Sequence, residues 1–145
     1  MLNRLVSLGA FALAVSGLVY LIMTRSLFHE DPVSILVQAG AVVLMVWARI
    51  TFGARSFHAG ANPTSGPLVT TGPYRWWRHP IYAAIIYFTW AGVVPHLTLE
   101  TGAAACLVTG GMIVRMILEE RLLREKYPEY GSFCKNTRRL VPFLF

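Results

Sequence analysis

Apolar residues fall in four long segments that are separated by shorter polar stretches. A helix that crosses the hydrocarbon core of a bilayer needs about 20 predominantly apolar residues. The third segment is bounded by Pro80 and Pro95, so it is marginal on its own and is expected to form a hairpin with the fourth. The pattern predicts four membrane-spanning helices at about residues 5–23, 33–50, 81–97 and 102–118.

Composition supports this interpretation. The chain has 145 residues, of which 55% are hydrophobic and 14% are charged, whereas about a quarter of a soluble domain is charged. We therefore expect an all-α integral membrane protein with a single domain over residues 1–145. The stretch Ala12-Leu13-Ala14 resembles a signal-peptide cleavage site, but apolar residues continue well past it, which favours a retained helix.

The positive charges predict the orientation. If both termini are cytoplasmic, only Arg25 of the thirteen Lys and Arg residues lies outside, as the positive-inside rule requires. The net charge of +6 then reflects topology and contact with anionic membrane lipids, and no motif points to a nucleic-acid partner. The twelve residues expected inside are Arg4, Arg49, Arg55, Arg75, Arg78, Arg115, Arg121, Arg124, Lys126, Lys135, Arg138 and Arg139.

A long polar loop, residues 51–80, joins the second and third predicted helices. It ends in LVTTGPYRWWRHPIY (residues 68–82), which combines cationic and aromatic side chains. Gly72 and Pro73 predict a tight turn, and Pro80 suits the first turn of a helix because its missing N–H is not needed there. Taken alone, this segment could be an interfacial anchor of aromatic and snorkelling Arg side chains.

The tail, residues 119–145, begins inside the fourth helix. Arg115 and Glu119 are four residues apart and share a helical face. Glu119 and Glu120 end an apolar span, where carboxylates are candidates for function, while residues 121–126 read as a solvated, ion-paired helix. The apolar residues after Arg139 suggest a strand or short segment that folds back onto the bilayer surface.

The cationic, aromatic loop and the anionic helix end are expected on one membrane face. S-adenosylmethionine would use both, since its cationic groups favour aromatic faces and carboxylates and its carboxylate suits Arg or His. A nucleotide or a phospholipid headgroup could use the same set. Cys106 and Cys134 lack metal-ligand spacing, and we expect no metal.

Two sequence blocks resemble the isoprenylcysteine carboxyl methyltransferase family and the related phospholipid methyltransferases. They cover roughly the last half of the chain. One departure is Ala84, where the family often has Gly. The matching positions are Leu68, Val69, Gly72, Tyr74, Arg75, Arg78, His79, Pro80 and Tyr82, then Arg115, Glu119, Glu120, Tyr127, Pro128, Tyr130, Arg139 and Pro142.

This resemblance implies a membrane methyltransferase that uses S-adenosylmethionine and releases S-adenosylhomocysteine. Glu120 is the first candidate for a ribose or ammonium contact, and the catalytic candidates are Arg78, Arg139 and Glu119, with the arginines orienting the acceptor or the cofactor carboxylate. The residues expected to bind the cofactor are Leu68, Val69, Gly72, Tyr74, His79, Pro80, Tyr82, Glu119 and Glu120.

The resemblance also implies a lipid-like or prenylated substrate that enters from the bilayer. A carboxyl acceptor needs only an Arg to aim it, whereas an amine must lose a proton to a Glu or His base. We favour the carboxyl acceptor, because Arg outnumbers acids here, with a phosphatidylethanolamine-type amine as the alternative. A sterol-reductase-like nicotinamide enzyme and a non-catalytic lipid-binding protein are further alternatives, and the sequence leaves the oligomeric state open.

Overall fold

Five α-helices make up most of the part of the chain that the structure describes. The computed structural model describes residues 2–53 and 67–141. Within those ranges there are also two short 3-10 helices, Gly72–Arg75 and Val94–His96, and no β-strand, which confirms the all-α prediction. The helices are α1 Leu2–Met23, α2 Pro32–Phe52, α3 Pro80–Val93, α4 Leu99–Lys126 and α5 Tyr130–Asn136.

Within residues 2–53 and 67–141, three helices are long and apolar enough to cross a membrane: Leu5–Met23 within α1, and the whole of α2 and α4. The third expected span is shorter than the sequence predicted. The 14 residues of α3 measure about 21 Å at 1.5 Å per residue, against about 30 Å of hydrocarbon. The 3-10 helix that contains Pro95 follows α3 directly and extends its path.

Helix α4 is longer than the bilayer core is thick. Its 28 residues measure about 42 Å, roughly 12 Å more than the hydrocarbon layer. The expected span, residues 102–118, therefore continues without a break through Glu119 and Glu120. The two carboxylates are carried on a rigid helix rather than on a loop.

Small residues bring α1 and α4 together in antiparallel orientation. A Cβ built on Gly17 would lie 2.7 Å from the carbonyl oxygen of Ala104, and one on Gly111 would lie 2.5 Å from that of Ala10. Close backbone approach through small residues is a common way to pack helices in lipid. The start of α1 therefore lies beside the end of α4.

Polar contacts define the opposite end of the bundle. The Asp31 side chain accepts a hydrogen bond from the Ser34 N–H and caps α2, and Thr98 caps α4. The Tyr20 hydroxyl donates to Glu100 at 2.8 Å. The start of α3 and the ends of α2 and α4 consequently meet on the other face, where the candidate site lies.

Candidate functional site

The site is built around Glu120, whose residue is only 4% exposed. One carboxylate oxygen lies 3.1 Å from Nε of Arg78 and 3.4 Å from Nε2 of His79. The other accepts a hydrogen bond from Arg139 at 3.1 Å. Three side chains from two distant parts of the chain thus converge on one buried carboxylate, as an ion cluster that we call the Glu120 cluster.

Glu119 faces a second set of side chains beside this cluster. It accepts a hydrogen bond from the Tyr82 hydroxyl at 2.8 Å and lies 4.0 Å from Nδ1 of His79. The His79 and Tyr82 rings stack with centroids 5.6 Å apart. His79, itself buried, therefore lies between the two carboxylates, with one ring nitrogen towards each.

Arg115 joins this second set one helical turn before Glu119. Its guanidinium lies 6.0 Å from the centre of the Tyr82 ring and 5.0 Å from that of Phe11. The predicted shared face of Arg115 and Glu119 is confirmed, since both contact Tyr82. Phe11 was missed, because the first helix reads as a generic apolar span and nothing marks one of its rings.

The tail is held against the loop by backbone hydrogen bonds. The N–H of Arg78 donates to the carbonyl of Arg138. The N–H of Arg138 in turn donates to the carbonyl of Trp76 at 2.9 Å. This parallel bridge, Trp77 with Arg138, holds the tail against the loop. That the apolar residues after Arg139 fold back onto the bilayer surface stays a prediction. Residues 142–145, including Pro142, lie outside the described residues.

The bridge positions Arg139 beside Glu120. The N–H of His79 donates to the Arg139 carbonyl at 3.3 Å, so the two residues are fixed side by side. The hydrogen bond with Glu120 raises the pKa of Arg139 above its ordinary value. Its side chain is 34% exposed, whereas that of Arg78 is 11% exposed. Arg139 therefore lies on the more exposed side of the cluster.

A backbone carbonyl supplies a further contact that sequence reasoning missed. Nη1 of Arg78 donates to the carbonyl of Cys134 in α5 at 3.0 Å. Arg78 therefore links the Glu120 cluster to α5. Every residue has a backbone carbonyl, so the residue types in the sequence could not have indicated this contact.

The loop before Arg78 has the predicted turn. Gly72 has a φ of +57°, and a Cβ there would lie 2.5 Å from Oγ1 of Thr51, so only glycine fits. Tyr74 is 6% exposed and packs on Phe52 with ring centroids 5.6 Å apart. Burial raises the pKa of Tyr74, so its hydroxyl stays neutral.

The remaining predicted residues lie in the loop before the turn and at the start of α3. Leu68 and Val69 are half-buried in irregular backbone before the turn, and Pro80 is buried at the start of α3, as predicted. The structure brings together Arg78, His79, Tyr82, Glu119, Glu120 and Arg139. Residues 54–66 of the predicted site loop lie outside the described residues.

Part of the cationic, aromatic segment does behave as an anchor. Trp76 is 44% exposed, lies at 6.1 Å from the Trp47 ring, and has the Arg75 guanidinium 5.6 Å from its centre. Exposed aromatic and Arg side chains at a helix end are typical of a membrane interface. The interfacial interpretation therefore suits Arg75 and Trp76, while Arg78 and His79 belong to the ion cluster.

Comparison with known proteins gave one match. The sequence model of a protein family described as phospholipid methyltransferase matches residues 31–130, which is more than half of the chain. No curated protein and no solved structure matched. The matched range includes α2, α3, α4 and the whole site except Phe11 and the tail residues after Tyr130.

Proposed function

The chain belongs to the phospholipid methyltransferase family of membrane proteins, and we propose that it transfers a methyl group from S-adenosylmethionine to the polar end of a lipid-like substrate. The family implies methyltransferase activity on lipid. The methyl donor, the acceptor group and the role of each site residue are parts of the proposal.

The Glu120 cluster is the observation that carries this proposal. A buried carboxylate held by two Arg and one His side chain at the end of a membrane helix is costly unless it serves a function. The donor set fits the proposed methyl donor. Glu120 would accept from its ribose hydroxyls or ammonium, and Arg139 or His79 would bind its carboxylate.

Aromatic side chains complete the fit. The sulfonium of the methyl donor is a cation that prefers aromatic faces, and Tyr74, His79 and Tyr82 present rings on this side of the bundle. We assign the half-buried Leu68 and Val69, with Gly72 and Pro80, to the wall of the same site. When bound, the donor would supply an activated methyl group, whose carbon the acceptor would attack in line with S-adenosylhomocysteine as the leaving group. The chain would then contribute mainly positioning.

The acceptor group decides what Glu119 and Arg115 do. A carboxyl acceptor, as in isoprenylcysteine substrates, would be aimed by an Arg, and Arg115 is buried at 5% exposure beside Tyr82. An amine acceptor of the phosphatidylethanolamine type would need a base, and the pair of Glu119 and His79 could take its proton. Both acceptors would reach the site from the bilayer, between helices.

The orientation is proposed as the sequence predicts, with both termini cytoplasmic. The start of α1, the ends of α2 and α4, and the Glu120 cluster share one face, so the site would face the cytoplasm. That face would meet anionic membrane lipids and the soluble methyl donor together.

A transfer assay tests the proposal. The purified protein in lipid nanodiscs is given methyl-labelled S-adenosylmethionine and either a prenylated cysteine or phosphatidylethanolamine, and label in the lipid fraction is counted. We expect label in one of the two substrates. No label in either, with saturable binding of a nicotinamide cofactor instead, would support the sterol-reductase-like alternative, and no turnover or cofactor binding would support a lipid-binding protein.

A further inference from the structure

Tyr130 carries a buried hydroxyl that the Glu120 cluster does not use. The residue is 1% exposed at the start of α5. Its ring centre lies 5.9 Å from that of Phe133 and 5.9 Å from the Arg124 guanidinium. Among the described residues, the hydroxyl has no hydrogen-bond partner.

A buried hydroxyl without a partner costs free energy. The penalty for leaving such a group unsatisfied is about 1–3 kcal/mol, and a phenylalanine at this position would make the same ring contacts without it. A group of this kind in a native fold calls for a physical explanation, of which an absent binding partner is one. The packing of the ring therefore does not account for the hydroxyl.

The hydroxyl belongs to the surroundings of the Glu120 cluster. Arg78, which lies 3.1 Å from Glu120, also donates to the carbonyl of Cys134, one helical turn after Tyr130 in α5. Burial raises the pKa of Tyr130, the negative charge of Glu120 raises it further, and Arg78 acts in the opposite direction. The phenol consequently stays neutral next to the charged groups.

The Tyr130 hydroxyl offers hydrogen bonding that the charged groups of the Glu120 cluster do not. A carboxylate only accepts and a guanidinium only donates hydrogen bonds, whereas a phenol can do both. The proposed methyl donor carries hydroxyl, amino and ring-nitrogen groups that need both kinds of partner. A neutral hydroxyl adds such a contact without changing the charge of the site.

We propose that the Tyr130 hydroxyl is a cofactor-binding group, which hydrogen-bonds a polar atom of the adenosyl amino-acid methyl donor at the Glu120 cluster. This inference rests on the proposed function. It adds a residue of the tail to the site and assigns α5 a direct role in binding, whereas Tyr130 was marked in the sequence only by the family resemblance.

The test is Tyr130→Phe, which removes only the oxygen. Calorimetric titration with S-adenosylhomocysteine should show affinity weakened by about 5- to 30-fold, as the loss of one hydrogen bond predicts. In the absence of ligand, equilibrium unfolding in mixed micelles should show stability unchanged or increased, because an unsatisfied group has been removed. Weaker binding of S-adenosylhomocysteine together with unchanged or increased ligand-free stability would identify a ligand contact.

Tyr20→Phe is the matched control. It also removes one phenol oxygen, but from a hydroxyl that donates to Glu100 at 2.8 Å on the opposite face of the bundle. Its affinity for S-adenosylhomocysteine should equal that of the wild type.

Two results would overturn the inference. Unchanged affinity in Tyr130→Phe would show that the hydroxyl does not touch the ligand, and a loss of ligand-free stability would show that it is already bonded within the protein. If the wild type itself binds no S-adenosylhomocysteine, the proposed function fails. Equal binding by wild type and variant would reject the role of Tyr130 alone.

Discussion

Replacement of Glu120 by Gln should destabilise the protein far more than the same change at its neighbour Glu119. The substitution keeps the shape of the side chain and removes the negative charge that Arg78, His79 and Arg139 share. Arg139 is one-third exposed and can regain water, whereas the Arg78 side chain is only 11% exposed and His79 is buried. A cationic cluster without its counter-charge would remain.

The expected magnitude follows from these burial differences. Removing one partner of a buried ion pair costs about 3–5 kcal/mol. We expect the lower end of that range for Glu120→Gln, because the amide oxygen can still accept one hydrogen bond. Glu119 is 26% exposed and its oxygen would still accept from Tyr82, so Glu119→Gln should cost less than about 1 kcal/mol.

Equilibrium unfolding in mixed micelles, followed by tryptophan fluorescence, measures both variants under the same conditions. Trp76 and Trp77 adjoin the site and report on it directly. A double-mutant cycle with Arg78→Gln should give a coupling of about 1–3 kcal/mol, as for residues in one charged network. Equal costs for the two Glu variants, or additive effects in the cycle, would refute the description of Glu120 as the centre of the cluster.

Three further predictions test the bundle, the site and the orientation. Gly92→Ala should destabilise by about 1–3 kcal/mol, as overpacking does, because its Cβ would clash with the carbonyl oxygen of Leu27. Gly110→Ala is the control: its Cβ would have nothing within 4 Å, so it should be neutral or slightly stabilising in the same unfolding assay. His79→Gln should reduce methyl transfer at least tenfold while insertion and expression stay normal; full turnover would assign His79 a packing role. A cysteine introduced by Lys135→Cys into a background without other cysteines should resist an impermeant thiol reagent applied outside intact cells, and labelling there would reverse the proposed orientation.

The membrane helices could be predicted from the sequence because lipid imposes a simple rule. Without water, each backbone polar group must be satisfied within the segment, so a long apolar run becomes a helix. The predicted spans 5–23 and 33–50 differ by only a few residues from α1 and α2. The third differs more, since Val94 and Pro95 continue as a 3-10 helix.

The site could be predicted in kind but not in detail. The predicted order of spans put the end of α4 and the start of α3 on one face, so Glu120, Arg78 and His79 could be expected on that face. Which side chains contact Glu120 directly could not be predicted from topology. Arg139 reaches Glu120 only because the tail pairs with the loop through backbone hydrogen bonds, which depend on tertiary geometry rather than on residue type.

Calorimetric titration of the purified wild-type protein with S-adenosylhomocysteine tests the central claim most directly, with Glu120→Gln measured alongside at a temperature where both are folded. The account predicts saturable binding with one site per chain, and at least tenfold weaker binding in the variant. The absence of binding by a wild-type protein that unfolds cooperatively would contradict the claim that the Glu120 cluster holds the methyl donor.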